Sequence, residues 1–196
     1  YYSFTTERGD VLRYFLIYPK NYDPSKRYPV LLTQYSGPGS QQIENRYTTD
    51  WEETLARNGY IVACCDARGT AYRGEDFKKV TYGNLGYAEV QDQISFARHL
   101  SRQPFIDASR IGIYGWSYGG FMALGCALKG DGLFKMAIAV APVTSWRYYD
   151  SIYTEIYNGL PQDNPAGYDD NSPINFADRL SNNTRLLIIH GTADDN

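Results

Sequence analysis

Five short apolar runs, each closed by turn residues and separated from the next by a stretch of helical periodicity, constrain this chain more than any other feature. They are 28–35 (YPVLLTQY), 60–65 (YIVACC), 110–114 (RIGIY), 134–140 (FKMAIAV) and 185–190 (RLLIIH). A short run without polar alternation suits a strand covered on both faces. Strands of that kind are parallel, because crossover connections lay helices over both sides of the sheet. A further strand is predicted over 10–18. Between the strands, a helix is predicted over 51–58, with Asp50 as N-cap, Glu53 three residues on and Gly59 as the stop. A second is predicted over 87–100, where Val90, Ile94, Ala97 and Leu100 share a face and Glu89, Gln91 and Asp92 lie elsewhere. Others are predicted over 118–128 and near 147–158. The class is α/β: a mostly parallel sheet with helices on both faces. A dinucleotide-binding fold competes, but the segment Gly37-Pro38-Gly39-Ser40 lacks the third glycine and no helical pattern follows it.

The 196 residues suit one domain, and the net charge of −3 comes with no cluster of Lys or Arg. That argues against nucleic acid or an anionic membrane as the main partner. No apolar stretch approaches the roughly 20 residues that span a bilayer. The three cysteines, Cys64, Cys65 and Cys126, have no metal-ligand spacing and are read as buried packing residues.

The chemistry is concentrated at Gly115-Trp116-Ser117-Tyr118-Gly119, followed by Gly120. The pattern G-x-S-x-G between a strand and a small-residue helix is that of a nucleophile elbow. The serine sits at a strained turn, and side chains two positions away on either side would clash. The following helix directs N–H groups and its positive end at a developing oxyanion. A serine hydroxyl needs a base, and the base needs an orienting carboxylate. The elbow in this setting indicates the α/β-hydrolase fold, in which the acid follows a late strand, which makes it Asp194 or Asp195. The two histidines, His99 and His190, both precede that acid, whereas the chain order of the triad puts the base after it. Both are read as structural, and the base is expected further along than Asn196. Neither a metal nor a cofactor is required by this chemistry.

The elbow and the segment His190-Gly191-Thr192-Ala193-Asp194-Asp195-Asn196 together resemble the prolyl oligopeptidase family of serine peptidases, and within it the dipeptidyl peptidases. Tyr35-Ser36-Gly37-Pro38, Asp66-Ala67-Arg68-Gly69-Thr70 and Ala141-Pro142-Val143 agree with the same family. The resemblance covers almost the whole chain from about Tyr28, and its residue choices are most like those of bacterial members, which are often periplasmic. It implies Ser117 as nucleophile and Asp194 as triad acid. It implies an oxyanion hole made by the Tyr35 hydroxyl and the Tyr118 backbone N–H. Val143, Trp146, Tyr149 and Tyr153, with the Tyr118 ring, would line the pocket for the residue before the scissile bond, and Asn196 would bind the preceding carbonyl. Independently, Trp146, Tyr149, Tyr153 and Tyr157 stand at i, i+3/i+4 spacing, which on one helix gives a shared aromatic face suited to a proline ring. Tyr157 is expected outside the pocket. Arg68 is expected to be an ion-pair partner within the fold.

The implied function is release of N-terminal X-Pro or X-Ala dipeptides from peptides through an acyl-enzyme. Another peptidase or an esterase of the same family, and a non-catalytic interaction module, are the alternatives. Family members carry an N-terminal β-propeller, which is absent here, and are often homodimers. The strand 185–190 is expected to form an unprotected apolar sheet edge. Without a histidine after Asp194, residues 1–196 alone are expected not to cleave a Gly-Pro chromogenic substrate. Turnover by this segment that Ser117→Ala abolishes would refute that.

Overall fold

The computed structural model describes residues 1–46 and 50–196. Among these, seven strands make one sheet: β1 Tyr2–Thr5, β2 Val11–Ile17, β3 Tyr28–Thr33, β4 Ile61–Asp66, β5 Ile106–Trp116, β6 Met136–Val140 and β7 Arg185–Ile189. Their spatial order is β1-β2-β4-β3-β5-β6-β7. The pairs β1/β2 and β2/β4 are antiparallel, and the four pairs from β4 to β7 are parallel. The mostly parallel sheet expected from the five apolar runs is therefore present. Every residue of β4 is buried, as a strand covered on both sides requires. The strand β1 escaped the sequence reading because only Phe4 within it is buried, leaving no alternation to detect. In β5 the strand extends beyond the predicted 110–114 in both directions, through a register shift opposite Tyr28 and Val30.

Six α-helices accompany the sheet among the described residues: α1 Trp51–Arg57, α2 Glu75–Lys79, α3 Ala88–Ser101, α4 Tyr118–Lys129, α5 Ser151–Asn158 and α6 Pro165–Asp169. The N-cap of α1 is Asp50, whose carboxylate accepts the Trp51 N–H at 2.7 Å. Nearly all of α4 is buried, which its small and apolar residues permit. The single helix expected near 147–158 is instead two pieces. A 3₁₀ turn covers Trp146–Tyr148, Tyr149 is extended, and α5 begins after Asp150, whose side chain accepts the Tyr153 N–H at 2.7 Å. An aspartate that caps a helix start interrupts one that would otherwise run through it.

The apolar face of α3 is as predicted, but its polar residues are not on a solvated side. Glu89, Asp92 and Gln93 are all buried, at i, i+3 and i+4 on one face. Each has partners waiting inside. For Asp92 the partner is Arg68, whose backbone N–H donates at 2.8 Å and whose guanidinium donates at 2.7–3.0 Å; Arg68 also lies 3.3 Å from Asp10. Burial raises the Asp92 carboxyl above the ordinary carboxylate range, while its partner's carboxylate raises Arg68. The hydrogen bonds and charge of Arg68 oppose that rise. The three cysteines are free and buried, and burial pushes their thiols up. His99 is half-buried, stacked on Phe4 and hydrogen-bonded through Nε2 to the Tyr14 hydroxyl at 3.1 Å. At the sheet edge, Leu187, Ile188 and Ile189 of β7 are about half exposed. No described helix is long and apolar enough to cross a membrane.

Asp92→Ala leaves a buried guanidinium without its bidentate partner, with Asp10 at 3.3 Å and the Ala88 carbonyl at 3.4 Å. The expected loss is about 3 kcal/mol of unfolding free energy, read from urea titrations of the variant and the parent. A loss below about 1 kcal/mol, the size of an exposed pair, would contradict the buried-pair account.

Candidate active site

The carboxyl ends of β5, β6 and β7 meet at one edge of the sheet, where ligands bind in open α/β folds. Ser117 follows β5 directly and is the N-cap of α4, with φ 58° and ψ −117°. An L-residue holds such angles only where its surroundings enforce them. Here its N–H donates to Val140 O at 2.9 Å and its carbonyl accepts from the Phe121 N–H at 3.0 Å. The flanking glycines are required by space. A Cβ on Gly115 would collide with the carbonyl of Gly119, and one on Gly119 would lie 2.5 Å from the carbonyl oxygen of Gln34. The elbow is thus pressed against the end of β6 on one side and the end of β3 on the other.

Ser117 is half-buried and opens into a cleft of about 380 Å³ that Val143, Tyr149, His190, Asp194, Asp195 and Asn196 also line. The Asn196 backbone N–H donates to Asp194 Oδ1 at 3.2 Å, and the Asn196 side-chain amide donates to the Tyr149 hydroxyl at 3.4 Å. His190 lies beside Asp194, with Nδ1 3.8 Å from Oδ2. Read from sequence as structural, it stands exposed on the cleft wall because β7 ends just before it. Both aspartates of the pair face the cleft.

The remaining expected residues form an aromatic cluster that adjoins the cleft through Tyr149. Tyr149 packs edge-on to Trp146 at 6.0 Å and to Tyr153 at 5.4 Å, and Trp146 stacks on Tyr153 at 6.3 Å. Trp146 also meets the Tyr118 ring at 5.6 Å, and Tyr118 meets Tyr35 at 6.1 Å. Trp146 and the Tyr118 ring are nearly sealed from solvent, at 1% and 2% exposure. They form the floor of this cluster, while the half-buried Tyr149 and Tyr153 form its accessible side. Tyr157 continues the row against Tyr153 at 4.9 Å and leans on Tyr82 at 5.6 Å, away from the cleft. Burial raises the phenols of Tyr35 and Tyr153 above the ordinary tyrosine value, so both remain neutral and able to donate. As the first residue of α4, Tyr118 presents a backbone N–H with no partner inside the helix. Among the described residues, no group of three His, Cys, Asp or Glu side chains is placed to hold a metal ion.

One contributor was not legible in the sequence. Glu89, fully buried on α3, accepts the Tyr118 hydroxyl at 2.5 Å and the Gly86 N–H at 2.8 Å, and its other carboxyl oxygen has no partner. Loss of water pushes its pKa up to about 7 despite those two donors. The clue lay in the polar stripe of Glu89, Asp92 and Gln93, which shares one helical face.

Comparisons with known proteins identify the family and the fold. Residues 47–196 match the model of the prolyl oligopeptidase family. The chain is similar to the probable dipeptidyl-aminopeptidase B of Paracoccidioides lutzii, 52% identical over 180 residues, covering 91% of this chain and 20% of that protein. It is also similar to the solved dipeptidyl peptidase 4 of Porphyromonas gingivalis, with a TM-score of 0.96 and 48% identity over all of this chain and 28% of that one. A putative dipeptidyl aminopeptidase IV from Bacteroides ovatus superposes with a TM-score of 0.91 at 37% identity, over 96% of this chain and 27% of its own. The chain spans about a fifth of the length of the curated relatives it matches.

The buried carboxyl beneath Tyr118 gives a pH test. A folded pKa of about 7 against an ordinary value of 4.5 means the folded state holds a proton that the unfolded chain has released. That contribution is fully present below about pH 4.5 and is lost as pH rises through 7. Glu89→Gln should remove it, so the variant gains on the parent by on the order of 3 kcal/mol between pH 4.5 and pH 8. Denaturant titrations of both proteins across that range would show a constant difference if Glu89 does not titrate this way.

Proposed function

This chain belongs to the prolyl oligopeptidase family, and from that premise we propose that it supplies the nucleophile and acid of a serine peptidase releasing N-terminal X-Pro or X-Ala dipeptides. The observation that carries the reading is Ser117 itself: a serine held at positive φ on a strand-to-helix turn, opening into a cleft shared with Asp194. Such a backbone is maintained at a cost of roughly 1–3 kcal/mol, which a purely packing role would not require.

In the proposed reaction, Ser117 Oγ adds to the scissile carbonyl and its proton passes to an imidazole oriented by Asp194. The Tyr118 N–H and the Tyr35 hydroxyl receive the negative charge that develops on the carbonyl oxygen. Collapse of the tetrahedral species breaks the C–N bond, and the imidazole returns the proton to the leaving amine. Water then repeats the sequence on the ester and releases the dipeptide. The imidazole is proposed to come from chain beyond Asn196. His190 precedes the acid, and its Nδ1 faces the Asp194 carboxylate only at 3.8 Å. Val143 and the aromatic cluster around Tyr149 and Tyr153 are proposed to take the proline or alanine ring or methyl, and Asn196 to hold the preceding carbonyl. A flat apolar side chain fits against aromatic edges and faces, whereas a charged one would lose its water there. The names of the relatives support the dipeptide product, and the family resemblance supports a dimeric whole protein.

In the whole protein, a fluorophosphonate probe should label Ser117 and no other serine, and Ser117→Ala should abolish both labelling and dipeptide release. Tyr35→Phe should lower kcat by roughly 10²-fold with little change in KM, the size seen for loss of one oxyanion donor. Labelling that survives Ser117→Ala would overturn the assignment.

A further inference from the structure

The reaction proposed above asks two donors on two different elements to meet one oxygen. The Tyr118 N–H starts α4, and the Tyr35 hydroxyl comes from the segment after β3. Strand pairing fixes their relation only as far as Thr33 opposite Tyr114, with one more bond from the Gln34 N–H to Tyr114 O at 3.3 Å. Beyond that point the two chains part, and a buried side chain spans the gap. Gln34 Nε2 donates to Gly119 O in the first turn of α4 at 2.8 Å, and to Tyr114 O at 3.4 Å. Its Oε1 accepts from Ser36 Oγ at 3.1 Å. Ser36 in turn accepts from Gln93 Nε2 on α3 at 3.0 Å, and the same Gln93 amide donates to Cys65 O at 2.8 Å. Gln34, Ser36 and Gln93 are buried, at 4%, 1% and 0% exposure, whereas Tyr35 between the first two is 36% exposed. Ser36 holds φ 62°, which turns the chain so that its hydroxyl faces inward while Tyr35 faces out. The absent side chain of Gly119 lets the helix close on the backbone of Gln34 and Tyr35.

We propose that Gln34 is a positioning residue for the reaction: its side-chain amide ties the end of β3, and Tyr35 with it, to the turn behind Ser117, so that both oxyanion donors keep one fixed separation. This rests on the peptidase reading and deepens it. The chemistry of the site selects the residue type. The position must donate to a carbonyl and accept from a hydroxyl at once, which a neutral amide does. A carboxylate would face the Gly119 carbonyl with a second acceptor, and Asn is one methylene too short to span the same distance. A small misplacement of a catalytic group is costly, of the order of 10²-fold in rate for 1 Å.

The test is a double-mutant cycle in the whole protein, with kcat and KM measured separately on a Gly-Pro chromogenic substrate. Gln34→Met keeps the side-chain length and removes all three side-chain hydrogen bonds. It should lower kcat on the order of 10-fold while KM stays within about 2-fold. In the Tyr35→Phe background the same substitution should cost less than about 2-fold, because the donor it positions is already gone. Losses that multiply independently would overturn the role of Gln34. Ser36→Ala, a smaller perturbation that frees Gln34 Oε1, should show the same non-additivity with a smaller loss and serves if Gln34→Met does not fold. Hydrogen exchange reads the tie without activity: in Gln34→Met, amides of 34–36 and 117–121 should exchange faster together. Acceleration confined to one segment, or spread across the sheet, would overturn it. Parent protein without Ser117-dependent turnover would instead overturn the peptidase reading.

Discussion

The backbone of Ser117 stands at φ 58° because neighbouring segments of the chain hold it there, and the arrangement of the cleft depends on that hold. The end of β6 accepts its N–H, α4 begins on its carbonyl, and the missing side chains of Gly115 and Gly119 let β5 and the end of β3 close on the first turn of α4. A strained residue persists only when its surroundings over-determine it. The parallel sheet provides this, since β3, β5, β6 and β7 all end at the same edge and deliver their following loops to one place. The antiparallel β1 and β2 extend the sheet on the far side of β4, away from the cleft.

A second layer of organisation is polar and buried. The face of α3 that carries Glu89, Asp92 and Gln93 reaches three separate parts of the molecule: Tyr118 next to Ser117, Arg68 in the loop after β4, and Ser36 at the end of β3. Burying three such side chains costs stability unless each is satisfied, and most of their atoms are. Such contacts are directional where apolar packing is not. They fix where the loops sit relative to one another, which an aliphatic core of the same volume would leave less defined.

Much of this could be read from residue order. The five apolar runs specified a parallel sheet because their composition reflects burial on both faces, a property that sequence carries directly. The elbow was legible because its glycines and serine sit within five consecutive positions. What escaped were features whose cause lies far along the chain. Nothing local to Glu89 or Gln34 indicates that Tyr118 or the Gly119 carbonyl will face it, since these partners are 29 and 85 residues away. The aromatic spacing from Trp146 to Tyr157 predicted one helix, and the capping side chain of Asp150 divided it, yet the rings still meet across the break. The cleft wall formed by His190 depended on where β7 stops, a boundary that hydrophobicity alone does not mark.

The tryptophans differ in their surroundings in a way that gives the molecule a built-in optical reporter. Trp116, beside Ser117 on the cleft wall, is 61% exposed, whereas Trp146 lies at 1% beneath the tyrosines. An indole in water emits at longer wavelength and is quenched more readily than one in a dry interior. A molecule seated in the cleft would strip water from the first while leaving the second untouched. Occupancy would therefore register as a blue shift and a loss of acrylamide quenching at Trp116, over a constant signal from Trp51, which is 39% exposed and does not line the cleft.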